Sequence, residues 1–194
     1  MEIKGRSNTA NISGGVRIIK DDTKISGKKM VAYFEEDTYT VSGDVEITQK
    51  GKAAVGEVAI LDEKRGEIKL EKNVRFLIEK GTALIEEEAA ENLRNPEAKE
   101  ILKEKTVLMC DVLKLPTKGK DAEATGSVEI MQQEKRAKSD KAVYRGDSET
   151  IVLTGNVFIE KGSEWIKTQK VIVSVSEESF EAVGKVEAEF KIKK

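Results

Sequence analysis

Ile151-Val-Leu-Thr-Gly-Asn-Val157 contains a short pattern, a glycine followed two residues later by a valine, that recurs along the chain. The six anchor positions of this pattern are Gly14, Gly43, Lys72, Gly126, Gly155 and Gly184, with lysine replacing glycine in the third copy. The interval between successive anchors is constant at 29, except that the interval from Lys72 to Gly126 is longer by an insertion of 25. A fixed period of this length predicts stacked copies of one supersecondary unit, none of which buries its apolar face alone.

Apolar and polar residues alternate around each anchor. Around Gly43, the even offsets carry Tyr39, Val41, Val45 and Ile47, whereas Thr, Ser, Asp and Glu occupy the odd offsets. Alternation with period two predicts a half-buried strand, and a glycine in the apolar phase permits a bend or bulge. A second strand of the same phase precedes each anchor, with a polar turn between the two. The repeats therefore predict an all-β protein of about a dozen strands with one continuous apolar face.

The inserted segment, 81–105, interrupts this pattern. Leu93 and Leu102 suit short amphipathic helices, and Pro96 follows an asparagine at a position typical of a helix start. We therefore predict a short helical insert at about 86–105. Two roles remain open for it, a cover over an edge or mouth of the sheet and a binding site for a partner.

Composition excludes several classes of function. The net charge is only −2 although 36% of the residues are charged, which argues against a nucleic-acid-binding protein. The chain has no histidine, and its single cysteine, Cys110, excludes an internal disulfide and a thiolate metal cluster, so we interpret it as a small buried apolar residue. No nucleophile motif or glycine-rich phosphate loop occurs, so we predict no enzyme activity, no cofactor and no metal site. No apolar run approaches the ~20 residues needed to span a bilayer, and no signal peptide is visible.

Periodicity leaves two interpretations of the apolar face open. In the first, the sheet closes on itself and the apolar side chains form a packed core, as in any β-sandwich. In the second, the two halves of the sheet separate and the apolar lining forms a groove that accepts acyl chains. The alternation of residues is the same in both cases, so it does not distinguish them.

Several repeated phrases of the chain resemble those of a known family. Ser139-Asp-Lys-Ala-Val-Tyr144 with the following Ile151–Val157, and the ending Phe180-Glu-Ala-Val-Gly-Lys-Val186, resemble the "D-K-x-x-Y", "L-T-G-N-V" and "f-x-A-x-G-x-V" phrases of the LptA/OstA family. The phrasing recurs more loosely at Val41-Ser-Gly-Asp-Val45. The resemblance thus covers nearly the whole chain apart from the insert. Lys72 and the insert depart from the family pattern and put the continuity of a groove at the third and fourth repeats in question.

The resemblance implies a single OstA-like domain, 1–194, that forms a twisted, V-shaped β-jellyroll with an apolar groove. It implies a periplasmic lipopolysaccharide transport protein, with its leader removed, that holds the acyl chains of lipid A and bridges the inner and outer membranes. It further implies partners, namely related jellyroll-domain transport proteins of both membranes and end-to-end self-association through edge strands. Members of this family are not enzymes. Two alternatives are an LptC-like, membrane-anchored component of the same pathway and a structural β-solenoid adaptor with a closed core.

In the groove interpretation, the lining residues follow from the strand phase. They lie at even offsets from the anchors on both strands of a repeat. We expect the lining to comprise Val45, Ile47, Val74, Phe76, Leu113, Leu115, Val128, Ile130, Tyr144, Val157, Ile159, Val171 and Val173.

Overall fold

The computed structural model describes residues 8–49, 51–80, 104–117, 121–174 and 179–191. In these ranges the chain forms twelve β-strands and no helix, all within one sheet. Strands β1 to β11 pair in sequence order, each antiparallel to the next, and β12 also pairs with β10. The all-β prediction of about a dozen strands is therefore confirmed. The strands are β1 Thr9–Lys20, β2 Thr23–Tyr33, β3 Thr38–Gln49, β4 Lys52–Asp62, β5 Glu67–Ile78, β6 Thr106–Pro116, β7 Ala122–Gln132, β8 Lys135–Arg145, β9 Thr150–Lys161, β10 Glu164–Ser174, β11 Ser179–Val183 and β12 Glu187–Glu189.

The strand and turn lengths account for the period of the sequence. In the first repeat, a strand of 12 residues, a two-residue turn, a strand of 11 residues and a four-residue turn follow one another and together fill one period. The next repeat starts at Thr38, one full period after Thr9, and has the same layout. Because the first five repeats are β-hairpins of the same layout, apart from the insert in the third, equivalent residues of successive repeats lie at the same height in the sheet.

The five anchor positions within β1, β3, β5, β7 and β9 form β-bulges. In β3, Gly43 and Asp44 both have positive φ, 80° and 49°, and the register with β4 shifts between Ser42 and Val45. Two residues of β3 thereby oppose one residue of β4, which bends the strand locally. Corresponding register shifts occur in every strand pair from β1–β2 to β9–β10, so the bulges form a row across the sheet.

The row of bulges divides the sheet into two walls. Wall A consists of the C-terminal halves of the odd-numbered strands β1 to β9 and the N-terminal halves of the even-numbered strands β2 to β10. Wall B consists of the other halves of the same strands. Inward side chains of both walls, such as Val45 of wall A and Val41 of wall B, belong to one buried cluster. The sheet is thus folded over itself along the bulges, with an apolar interior.

The insert does not interrupt the sheet. Strands β5 and β6 pair from Glu67–Pro116 to Ile78–Thr106, so the additional residues replace the turn of this one hairpin. The interior therefore continues between the third and fourth repeats. The predicted helices lie outside the described residues except at 104 and 105, which are not helical.

The sixth repeat is paired but not enclosed. Its strands β11 and β12 are short, and both pair with β10. Phe180, Val183 and Val186 are 47%, 38% and 46% exposed, although Phe180 and Val186 hold positions that are apolar in the other repeats. The C-terminal edge of the sheet consequently carries uncovered apolar side chains.

Candidate functional site

The interior between the walls is the candidate site, and the predicted lining residues lie on its two sides. Twelve of the thirteen belong to the buried cluster or pack against it, and Tyr144 lies in the same cross-strand row as Ile151 and Val173. Wall A carries those of β3, β5, β7 and β9, and wall B carries those of β6, β8 and β10. The structure thus brings the whole predicted set onto one inward surface.

Depth separates the predicted residues into two groups. Seven are at most 4% exposed, and all but Ile47 directly flank the bulges: Val45, Ile47, Val74, Leu113, Val128, Val157 and Val171. The other six are half-buried and lie nearer the hairpin ends, where the two walls separate: Phe76, Leu115, Ile130, Tyr144, Ile159 and Val173. Only the second group is accessible to a ligand without movement of the walls.

Further half-buried residues line the interior but are absent from the predicted set. Tyr39 and Ile151 lie four positions before their anchors, and Ile12 lies two positions before its anchor. All three are in the same apolar phase as the predicted residues. The alternation that located the predicted set therefore contained the signal for these three. Leu108 precedes Gly126 by the same interval as Ile25 precedes Gly43, so comparison of the repeats reveals it in the same way.

A second periodic row, of small residues, faces the bulges from the even-numbered strands. A Cβ atom added at Gly56 would lie 2.9 Å from the side chain of Leu70, so the bend leaves no room there for a larger residue. Members of this row recur at the same intervals as the anchors. This periodicity is present in the sequence, but the pattern of anchors alone does not reveal it. The members are Gly27, Gly56, Cys110, Ser139 and Thr168.

Polar contacts hold the outer side of the bulges. The Asn73 side-chain amide donates a hydrogen bond to Glu57 at 2.8 Å, and Asn156 donates one to Asp140 at 2.9 Å. These contacts join the second bulge residue of one strand to the strand that precedes it. The bulges of β5 and β9 are thus fixed from outside by hydrogen bonds and from inside by packing.

The interior is uncharged over the part of the chain that the structure describes. The buried polar residues are Thr106, Ser139 and Thr168, and every buried side-chain nitrogen or oxygen atom described has a hydrogen-bond partner. Desolvation, with a smaller contribution from the negative charge of Asp111, raises the pKa of the Cys110 thiol to about 12, so the thiol is neutral. Such a surface removes apolar groups from water but offers no charged or nucleophilic group to a ligand.

Two features are absent from the described ranges. They contain no cluster of three or more acidic, cysteine or histidine side chains suited to hold a metal ion. They also contain no helix that is both long and apolar enough to span a bilayer.

Comparisons with known proteins identify the family. No curated protein matches the chain. One solved structure to which the chain has a partial likeness is LptH of Pseudomonas aeruginosa, described as the LptA homologous periplasmic component of the conserved lipopolysaccharide transport device. It is 7% identical, with coverage of 98% of this chain and 100% of that chain and a TM-score of 0.41. The family assignment does not depend on this weak likeness. A family model described as "LptA/(LptD N-terminal domain) LPS transport protein" matches residues 1–89 and 136–193, more than half of the chain. The chain therefore belongs to the LptA and LptD N-terminal-domain family of lipopolysaccharide transport proteins.

Proposed function

We propose that this protein carries lipopolysaccharide by enclosing the acyl chains of lipid A between walls A and B while the sugars remain in water. The observation that carries this proposal is the inward face of the sheet. It is apolar from β1 to β10, and half-buried side chains of both walls, such as Ile159 and Val173, lie along its open side. Acyl chains are the part of lipopolysaccharide whose transfer from water to such a surface is favourable.

The free energy gained by burying an acyl chain is of a size that suits a carrier. Removing one methylene group from water contributes about 0.8 kcal/mol, so ten methylene groups contribute roughly 8 kcal/mol before the cost of ordering the chain. This is enough to hold the lipid out of water. Transfer to a neighbouring groove of the same kind is nearly isoenergetic, because the lipid leaves and enters similar surroundings. Direction then follows from the supply of lipid at one end.

The proposal places the protein in the periplasm, where it bridges the inner and outer membranes together with related jellyroll proteins. The two ends of the sheet favour end-to-end association. Among the described strands β1 pairs with β2 and forms the N-terminal edge of the sheet, and an edge strand presents backbone donors and acceptors to a further strand. At the opposite end, the short β11 and β12 leave apolar side chains uncovered. Edge strands of this kind pair with a strand of another chain.

The test is site-specific photo-crosslinking in cells, with the probe at Ile159 and, as the matched control, at Phe158. Ile159 faces the interior, whereas Phe158 lies on the outer face, where its ring stacks on Trp165 with centroids 6.1 Å apart. We expect lipopolysaccharide adducts at Ile159 and none at Phe158. A folded protein that gives adducts at neither position contradicts the proposal.

The second candidate is a protein-binding adaptor with a closed core. The observation in its favour is the deep burial of seven of the thirteen predicted lining residues, Val157 and Val171 among them at 0% exposed. An adaptor of this kind binds partners through its edges and has no affinity for acyl chains. The dependence of thermal stability on lipid distinguishes the two.

A further inference from the structure

Equivalent positions of the repeats differ in exposure along wall A. The residue four positions after the anchor is Ile47 in the second repeat, Ile130 in the fourth and Ile159 in the fifth. Ile47 is 4% exposed, whereas Ile130 and Ile159 are half-buried. The amino acid and its place in the hairpin are the same in all three, so the difference comes from what faces them.

Wall B shows the same change. Eleven positions before the anchors, Leu61 is 2% exposed, whereas Tyr144 and Val173 are half-buried. Four positions before the anchors, Ile68 is 4% exposed and Ile151 is half-buried. The interior is therefore open to solvent along β6–β10 and closed from β2 to the N-terminal half of β5, whereas Phe76 in the C-terminal half of β5 is half-buried. We call the set Ile25, Ile47, Ala54, Leu61 and Ile68 the closed segment.

The two walls meet directly at the closed segment. Ile18 and Ile25 of wall A face Leu61 and Ile68 of wall B across a cavity of about 10 Å³. A cavity of this volume holds about one water molecule and is far too small for an acyl chain. Toward the N-terminal edge, Ile12, Met30 and Tyr39 are half-buried, whereas Ala10 and Ala32, at the positions equivalent to Ile68 and Leu61, are only 7% and 2% exposed. The closed segment thus lies between the open part of the groove and the edge strand β1, and wall B stays closed as far as β1.

An ion pair joins the two walls beside this cavity. The ammonium group of Lys20, at the end of β1, contacts the carboxylate of Glu63, in the turn between β4 and β5, and the two side chains are 28% and 33% exposed. The backbone N–H of Glu63 donates to the carbonyl of Asp37 at 3.0 Å, which holds the turn in place. Partial burial protects such a pair from screening by salt.

The ion pair is particular to this place in the chain. The positions equivalent to Lys20 in later repeats carry Gln49, Ile78, Gln132 and Lys161. Those equivalent to Glu63 in the other repeats carry Phe34, Thr117, Gly146 and Val175, none of which is acidic. The repeat pattern therefore does not require the pair.

We propose that acyl chains bind along β6–β10 and that the closed segment, held by the ion pair of Lys20 and Glu63, separates this binding region from the N-terminal edge. Lipid reaches the edge strand only when the pair breaks and the walls part at Leu61 and Ile68. This inference rests on the proposed function and adds the location of the lipid within the groove.

The experiment places a photo-crosslinking probe at matched positions of the whole chain with lipopolysaccharide as the ligand. Ile159 and Val173 report on the open region, and Ile47 and Leu61 report on the closed segment. We expect adducts at Ile159 and Val173 to exceed those at Ile47 and Leu61 at least tenfold. Equal adducts at all four positions overturn this inference but leave the proposed function standing, whereas the absence of adducts at every position overturns both.

The ion pair is tested in the same assay. Lys20→Gln removes the charge and retains length, so we expect adducts at Leu61 to rise several-fold while those at Val173 stay unchanged. The exchange Lys20→Glu with Glu63→Lys restores the pair and is expected to restore the low yield at Leu61. Unchanged adducts at Leu61 in Lys20→Gln contradict the role of the pair.

A milder substitution guards against misfolding by the probe. Ile47→Cys and Ile159→Cys, each in a Cys110→Ala background, keep a small apolar side chain at both positions. We expect a small apolar maleimide to label Ile159→Cys at least tenfold faster than Ile47→Cys, and equal rates contradict the closed segment.

Discussion

At the scale of single residues, Lys72 stands where most repeats have glycine. Its φ is 65°, a left-handed conformation that costs a residue with a side chain about 1–2 kcal/mol. Lys72→Gly removes this strain, partly offset by the greater freedom of glycine in the unfolded chain. We expect the free energy of unfolding, measured by urea denaturation, to rise by about 0.5 kcal/mol.

Gly155→Ala is the matched control for this change. Gly155 has φ of 76°, and an added Cβ atom would lie 2.8 Å from the Cβ atom of Asp140. We therefore expect Gly155→Ala to lower the free energy of unfolding by about 1–3 kcal/mol. A gain in stability from Gly155→Ala, or a loss from Lys72→Gly, contradicts the account of the bulges.

The buried thiol of Cys110 gives a second prediction. Burial raises its pKa to about 12, whereas an exposed thiol has a pKa of about 8.5. At pH 8 the thiolate fraction is thus about 1,000-fold lower in the folded chain, and reaction with a disulfide reagent is expected to be at least 100-fold slower than in urea. Because the folded pKa is raised, the stability that the neutral thiol contributes is present below about pH 8.5 and declines as the pH rises toward 12. Equal reaction rates in native and denatured protein contradict this prediction.

At the scale of elements, Asp121 ties the connection after β6 to the turn after β8. Its carboxylate accepts hydrogen bonds from the Gly146 N–H and the Arg145 guanidinium, both at 2.9 Å. These contacts, the Gly146 N–H foremost, lower the pKa of Asp121. A lowered carboxyl pKa contributes stability above the unfolded pKa of about 4, and this contribution is lost as the pH falls through the lower folded value.

Asp121→Asn tests this contact. The contribution is below about 1 kcal/mol because the pair is exposed to solvent. We expect the variant to be slightly less stable than the parent at pH 7, and the difference, measured by urea denaturation, to shrink below pH 4. A difference that stays constant from pH 7 to pH 3 contradicts a role for the charge.

The hairpins were predictable from the sequence because their signals are local. Alternation fixed the faces of β3 and β9, and the polar residues 63–66 and 146–149 form four-residue turns where turns were expected. The small row that contains Gly56 and Cys110 was not found, because small residues of different chemistry give no apolar periodicity. Their common feature is the space left by the bend, which is a property of the packed sheet.

At the scale of the whole molecule, the proposed carrier should be stabilised by its ligand. A ligand at 100 times its Kd raises the free energy of unfolding by about 2.7 kcal/mol. For a domain of this size the Tm is then expected to rise by about 5–10 °C with lipopolysaccharide. Scanning calorimetry measures the shift, and lipopolysaccharide freed of its acyl chains is the control and is expected to give none.

The same measurement decides between the carrier and the adaptor. A protein whose interior never opens has no differential affinity for acyl chains, so its Tm does not depend on lipid. A Tm that is independent of lipopolysaccharide at every concentration thus favours the adaptor with a closed core. An equal shift with the deacylated form indicates binding of the sugars at the surface instead.

The sequence by itself determined the repeat, the strand phase, the inward residues and the family. Each of these depends on residues that are close together in the chain or that recur with a fixed period. It left open whether the interior is a core or a groove, since alternation is identical in both. Tertiary structure decided which inward residues are sealed and which are half-buried, as for Ile47 and Ile159. The reason is physical: exposure depends on which parts of the two walls meet across the fold. Residues far apart in the chain, such as Lys20 and Glu63, come into contact there.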